Sequence, residues 1–102
     1  MNKDLQIAKK TVQTEIQALK KLSLSFNRTS YFSNAVNILS KMKGKCLVVG
    51  VGKSYLVSLK VSATLSSLGT PSVAFSANDL QHGGLGAIQK NNDVLLIFSV
   101  SG

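Results

Sequence analysis

Tryptophan is absent from this 102-residue chain, cysteine, proline and histidine occur once each, and only four Asp and Glu stand against twelve Lys and Arg. Each scarcity excludes something. The lone Cys46 cannot close an internal disulfide, and one cysteine with one histidine forms no metal-ligand cluster; no cofactor is expected. One proline and eight glycines rule out collagen-like and low-complexity chains. A membrane span needs about 18–20 consecutive apolar residues, whereas the longest runs, Cys46 to Val49 and Val94 to Phe98, stop far short of that. The stretch from Met1 to Lys10 lacks the apolar core of a secretory signal. Without disulfide, span or signal, a cytoplasmic location away from membranes is expected.

What is present points to a globular α/β chain. Hydrophobic residues make up 44% and mean hydropathy is +0.19, and a chain of this length buries roughly 60–70% of its unfolded surface, enough for one core. The net charge of +8 is uneven: residues 1–53 hold ten basic side chains and two acidic ones, and the remainder is balanced. Such asymmetry occurs in nucleic-acid-binding proteins. No helix-turn-helix, zinc-finger or interleaved aromatic pattern accompanies it, and phosphate neutralisation alone gives only non-specific, salt-sensitive binding. The lysines therefore read as a solvated helical face, with no specific nucleic-acid partner.

Leu5, Ala8, Val12, Ile16 with Leu19, Leu22 and Phe26 recur at three- and four-residue steps, which predicts an amphipathic helix over about 3–26. Ser30 is placed to cap a second helix with the stripe Phe32, Ala35, Val36, Leu39 and Met42, stopped at Gly44. Cys46-Leu47-Val48-Val49 suits a strand buried on both faces, with Cys46 a small core residue rather than a nucleophile. Gly50 to Ser54 predicts a tight turn, and Leu56 through Leu68 a helix closed by Gly69 and broken at Thr70-Pro71. Ser72 to Phe75 is a second strand, Asn78 to Gln81 a helical turn capped by Asn78, His82 to Gly86 a loop, and Val94 to Phe98 a third strand after the Asn91-Asn92-Asp93 turn. This order implies a parallel sheet with flanking helices, preceded by two N-terminal helices. No helix returns over the third strand, so one of its faces lacks cover; the chain is expected to be incomplete, or to complete itself by oligomerising.

Three constellations bear on chemistry. Gly50-Val51-Gly52-Lys53-Ser54 joins a buried strand to a helix N-terminus, where backbone N–H groups face an anion. A Walker A loop needs glycine where Leu47 stands, and a dinucleotide fingerprint needs one where Tyr55 stands. Two readings stay open: a phosphate or phosphosugar loop, and a plain turn with a surface lysine. Ser99-Val100-Ser101-Gly102 repeats the arrangement after the third strand, and two hydroxyl-bearing turns at one sheet edge can share a phosphate, although serine is common in ordinary turns. His82, in the Gly-rich loop, is either a proton carrier or a bystander.

Taken together, Gly50-Val51-Gly52-Lys53-Ser54, Ser67-Leu68-Gly69-Thr70-Pro71, His82-Gly83-Gly84-Leu85-Gly86 and Ser99-Val100-Ser101-Gly102 resemble the sugar isomerase (SIS) domain of the KpsF/GutQ-type arabinose 5-phosphate isomerases. The resemblance covers about residues 30–102 and divides the chain into a helical leader, 1–43, and the first part of a Rossmann-like SIS domain, 44–102. It implies aldose–ketose isomerisation of arabinose 5-phosphate and ribulose 5-phosphate, a step toward the lipopolysaccharide sugar Kdo, and a homo-oligomer. Lys53 and His82 would be catalytic. Gly52, Ser54, Gly69, Thr70, His82, Ser99 and Ser101 would contact substrate or its phosphate. Ser76 stands where the family carries a metal-linked histidine, so no metal is implied; Tyr55 crowds the loop and Gly84 replaces an aspartate. The family's later acidic residue and histidine have no counterpart here, and an inactive truncated homologue is therefore the expectation. The alternative is a non-catalytic phosphosugar-binding SIS module.

Overall fold

A computed structural model describes residues 2–100. They form two compact units that divide between Val36 and Asn37. In the first, helix α1 runs from Lys3 to Ser25. The Asn2 side chain accepts the Leu5 N–H at 2.8 Å, and Asp4 adds a favourable charge to the first turn. Helix α2, Tyr31–Ser40, begins in this unit and ends in the next. It starts immediately after Ser30, but the Ser30 hydroxyl accepts the Asn34 side-chain amide at 3.5 Å and caps no backbone N–H. Phe26 and Phe32 stack with centroids 5.0 Å apart and planes tilted by 46°. Among the described residues, no helix is long and apolar enough to cross a membrane.

The second unit is built on strand β1, Cys46–Gly50. Strand β2, Ser72–Ser76, and strand β3, Val94–Ile97, lie parallel on its two sides in the order β2-β1-β3. The expected parallel α/β sheet with flanking helices is therefore present. The register pairs Leu47 with Val73 and Leu95, and Val49 with Phe75 and Ile97. Cys46, Leu47 and Val48 are wholly buried and Val49 nearly so, as a continuous apolar run requires in a central strand. Burial pushes the Cys46 thiol above its ordinary pKa, which suits a core residue.

Helix α3, Lys53–Ser67, covers one face. Its buried residues are Ser58 and Ser62, not leucines. The Ser58 hydroxyl donates to the Ser54 carbonyl at 2.8 Å, and Ser72 Oγ in β2 donates to the Ser62 carbonyl at 2.7 Å. Small hydroxyl side chains let the helix lie close to the sheet while their polar atoms stay satisfied. Leu56 and Leu59 turn outward, and α3 begins at Lys53, three residues before the expected start. On the other sheet face Val73, Leu95 and Ile97 remain 42%, 44% and 63% exposed, which is the uncovered face anticipated for the third strand.

Other local expectations are corrected. Helix α2 stops at Ser40; Gly44, expected as its terminator, instead donates its N–H to the Asn92 carbonyl at 2.8 Å. Helix α4, Ala77–Gln81, is capped by Ser76 rather than Asn78: Ser76 Oγ accepts the Asp79 N–H at 3.2 Å. The predicted 82–86 loop holds a single 3-10 turn, Gly84–Ala87, set up by Gly83 at φ +110 and by the close seat of Gly84 on the Asp79 carbonyl, 2.6 Å from an added Cβ. Gly69, at φ +93, closes α3 as expected.

The starts of β1 and β3 are locked together by Asp93, whose side chain is 2% exposed. It accepts the Lys45 N–H at 2.8 Å, the Lys45 ammonium at 2.8 Å and the Gln89 N–H at 2.7 Å; the same ammonium reaches the Ala87 carbonyl at 2.8 Å. The Lys45 side chain first, then the two backbone donors, hold the Asp93 carboxyl down to about 2 from its ordinary 3.8. A depressed folded-state value means that this carboxylate stabilises the fold fully above the ordinary value and loses its contribution as pH falls toward 2. Thermal melts between pH 5 and pH 2 are thus expected to show a drop near pH 2–4 that Asp93→Asn abolishes, at the expense of lower stability at pH 5; an identical acid profile in the variant would contradict this.

Candidate phosphate-binding cleft

The turn from β1 into α3 requires glycine twice, for different reasons. A Cβ on Gly50 would lie 2.5 Å from the Ser54 carbonyl carbon and oxygen and 2.8 Å from the Tyr55 nitrogen, so strand end and helix start touch backbone to backbone there. Gly52 adopts φ +59, with open space around it, and serves as the N-cap of α3 without a capping side chain. Ser54 N–H bonds the Val51 carbonyl at 3.1 Å and Tyr55 N–H the Gly52 carbonyl at 3.0 Å, tightening the first turn. The positive end of the α3 dipole consequently points out of the carboxyl edge of the sheet.

At that edge lies a cleft of about 370 Å³ lined by Val49, Gly50, Val51, Ser54, Ala77, Ile97, Phe98, Ser99 and Val100. Its size falls within the roughly 300–1,000 Å³ common for small-molecule sites. The register puts Gly50 beside Ser76, and Phe98 N–H bonds the Val49 carbonyl at 2.9 Å, so the ends of all three strands converge on it. Open α/β sheets bind ligands at this place. Neither the Ser54 nor the Ser99 hydroxyl has a hydrogen-bond partner among the described residues, which leaves both free for a ligand.

The sequence-derived site residues divide into four groups. Ser54 and Ser99 line the cleft, the first just after β1 and the second just after β3. Gly52 and Lys53 border it: Lys53 is exposed at the first position of α3, beside Ser54, and does not line the cleft itself. His82 is exposed at the C-terminus of α4, its N–H shared between the Asn78 and Asp79 carbonyls at 3.2 Å each, on the segment that continues from cleft-lining Ala77. Gly69 and Thr70 are elsewhere. They precede β2 at the opposite, amino end of the sheet, where Thr70 N–H bonds the Leu65 carbonyl at 2.9 Å and Cys46 N–H bonds the Pro71 carbonyl at 2.8 Å. The length of a five-residue strand, about 13 Å, separates them from the cleft. Ser101 lies outside the described residues.

Sequence reasoning missed the apolar half of the cleft. Val51, Ala77, Ile97 and Phe98 give it a wall suited to carbon atoms opposite hydroxyls suited to oxygen. Only the strand pairing reveals that these positions meet. Among the described residues there is no group of three side chains able to hold a metal ion.

No protein-family model matches the chain. It is 36% identical over 98 residues to arabinose 5-phosphate isomerase GutQ of Escherichia coli K12, covering 96% of this chain and 30% of that protein. Against arabinose 5-phosphate isomerase KdsD of Pseudomonas aeruginosa it is 45% identical over 71 residues, 70% of this chain and 22% of that one. Among solved structures, E. coli CFT073 c3406 in complex with arabinose 5-phosphate superposes with a TM-score of 0.85 at 33% identity, over 97% of this chain and 52% of that one. A phosphosugar isomerase of Bacteroides fragilis involved in capsule formation matches with a TM-score of 0.64 at 29% identity, over 87% and 50% of the two chains. The chain thus spans about 30% of the length of its arabinose 5-phosphate isomerase relative in E. coli K12.

Substitutions at the two glycines separate steric from conformational demands. Gly52→Ala meets no neighbouring atom but puts a Cβ on a backbone at φ +59, ψ −124, and is expected to cost about 1–3 kcal/mol. Gly50→Ala drives backbone against backbone, with an added Cβ 2.5 Å from Ser54, and is expected to cost more and to spread the cleft. Urea denaturation of both variants checks the order, and equal losses would refute the contact.

Proposed function

We propose that the carboxyl-edge cleft binds the phosphate of a pentose phosphate, and that the chain is a homologue of the arabinose 5-phosphate isomerases, with residues 44–102 belonging to a SIS domain behind a helical leader, 1–43. The observation that carries this reading is the meeting of Ser54, Ser99 and the α3 N-terminus in one cleft. That the cognate partner is a sugar phosphate is supported by the similarity to GutQ and to a protein solved with arabinose 5-phosphate. Phosphate recognition needs unpaired donors and a positive field; both hydroxyls, the positive end of the α3 dipole and the adjoining Lys53 ammonium supply them.

The chemistry is proton transfer between neighbouring carbons. A base removes the proton from the carbon beside the aldehyde of arabinose 5-phosphate while the aldehyde oxygen takes one up to give the enediol; return of a proton to the former aldehyde carbon, with loss of the proton from the neighbouring hydroxyl, gives ribulose 5-phosphate. Lys53 is assigned the stabilisation of negative charge growing on the carbonyl oxygen, and His82 the movement of the proton. No metal or other cofactor has a role in this scheme. Gly69 and Thr70, at the far end of the sheet, reach the same sugar only if a second copy presents them, which fits a homo-oligomer. A cytoplasmic place ahead of Kdo and lipopolysaccharide synthesis follows from the same resemblance.

The second reading, a phosphosugar-binding module without turnover, is favoured by the position of Lys53 and His82 outside the cleft lining. Arabinose 5-phosphate is expected to raise the Tm of the pure chain in either case. Turnover to ribulose 5-phosphate that falls roughly a hundredfold or more in Lys53→Ala supports the isomerase. Stabilisation without turnover leaves the binding module, and an unchanged Tm with no turnover overturns both.

A further inference from the structure

Helix α1 has no buried residue, and its stripe residues Leu5, Val12, Ile16, Leu19, Leu22 and Phe26 are 44% to 64% exposed. A 23-residue helix is about 35 Å long and depends on packing for most of its stability in water. The stripe Leu5, Ala8, Val12, Ile16, Leu19 advances by three, four, four and three residues, so that Leu5 and Ala8 recur eleven positions later as Ile16 and Leu19. An eleven-residue repeat has about 3.67 residues per turn and keeps one seam along a nearly straight helix.

The charges follow the same repeat. Asp4 and Glu15, the only acids of α1, each stand one residue before Leu5 and Ile16, and Lys9 and Lys20 each follow an acid by five. Five is the wrong spacing for a pair within one helix, where neighbours are three or four apart. Accordingly, neither carboxylate forms an ion pair among the described residues. Between two parallel helices in register, however, a residue flanking the seam meets the residue five further along on its partner. Asp4 then faces the partner's Lys9, and Glu15 the partner's Lys20, each pair occurring twice. An antiparallel pair would instead set the lysine flank against itself. Lys3, Lys10 and Lys21 lie on the opposite side of the helix at 100° per residue, clear of the seam.

We infer that α1 is the pairing surface for a second copy of this chain, in a parallel, in-register helix pair closed by Leu5, Ala8, Val12, Ile16 and Leu19 and flanked by four ion pairs. This deepens the homo-oligomer reading above by naming its interface. The test is sedimentation equilibrium on the full chain without sugar phosphate. The wild type is expected at twice 10.8 kDa or a multiple of that pair. Lys9→Glu with Lys20→Glu, and separately Asp4→Lys with Glu15→Lys, turn every flanking pair repulsive and should each weaken pairing roughly tenfold or more. An equimolar mixture of the two variants restores all four attractions and should restore the pair. A monomeric wild type overturns both this interface and the homo-oligomer. An oligomer indifferent to the charge reversals, or a mixture that fails to re-form, overturns the interface alone; a monomer also removes the route by which Gly69 and Thr70 reach the sugar, while sugar-phosphate binding at the cleft is read separately by its effect on Tm.

Discussion

The contact at Gly50 is the constraint on which the site depends. A buried parallel strand can hand over to a helix within two residues only if backbone passes against backbone, and any side chain at Gly50 would occupy the space of the Ser54 carbonyl. That single approach fixes where α3 starts. It turns the helix dipole toward the strand ends, sets Ser54 facing the exit of β3, and leaves Lys53 at the rim. Burial of Cys46 to Val49 holds the strand itself in place, since both its edges are paired.

At the other end of the sheet the structure uses charge. Asp93 gathers the Lys45 backbone, the Lys45 ammonium and the Gln89 amide, fixing the starting level of β3 against β1. The two ends have different tasks: the amino end is anchored by an ion pair whose carboxylate is nearly buried with its hydrogen bonds satisfied, and the carboxyl end keeps the Ser54 and Ser99 hydroxyls unspent. One consequence is that Lys45, one of ten basic residues in the first half of the sequence, is structural, while Lys53, eight positions later, is left exposed beside the cleft.

The continuous apolar runs made all three strands legible, and the glycines marked the turn that builds the cleft. The face of α3 was not legible: its leucines suggest an inward stripe, yet Ser58 and Ser62 face the sheet, because a close helix–sheet approach favours small side chains over large ones. The α4 cap lies two residues before the one the sequence suggests, because Ser76 competes with Asn78 for the role. Ser54 and Ser99 meet at the carboxyl edge while Gly69 and Thr70 lie at the amino end, a separation the motifs could not show, since linear motifs carry no information about which end of a strand a residue occupies. The Lys45–Asp93 pair, 48 residues apart, needed the strand order before it had meaning.

Docking of a sugar phosphate at the carboxyl edge of this sheet is what every other functional assignment presupposes. Backbone amide chemical shifts of the nitrogen-15-labelled chain, recorded while arabinose 5-phosphate is added, report on it residue by residue. Changes concentrated at Gly50 to Ser54, Ala77 and Phe98 to Ser99 are expected. Changes confined to the lysines of α1, or none at the cleft at saturating sugar phosphate, would contradict docking there.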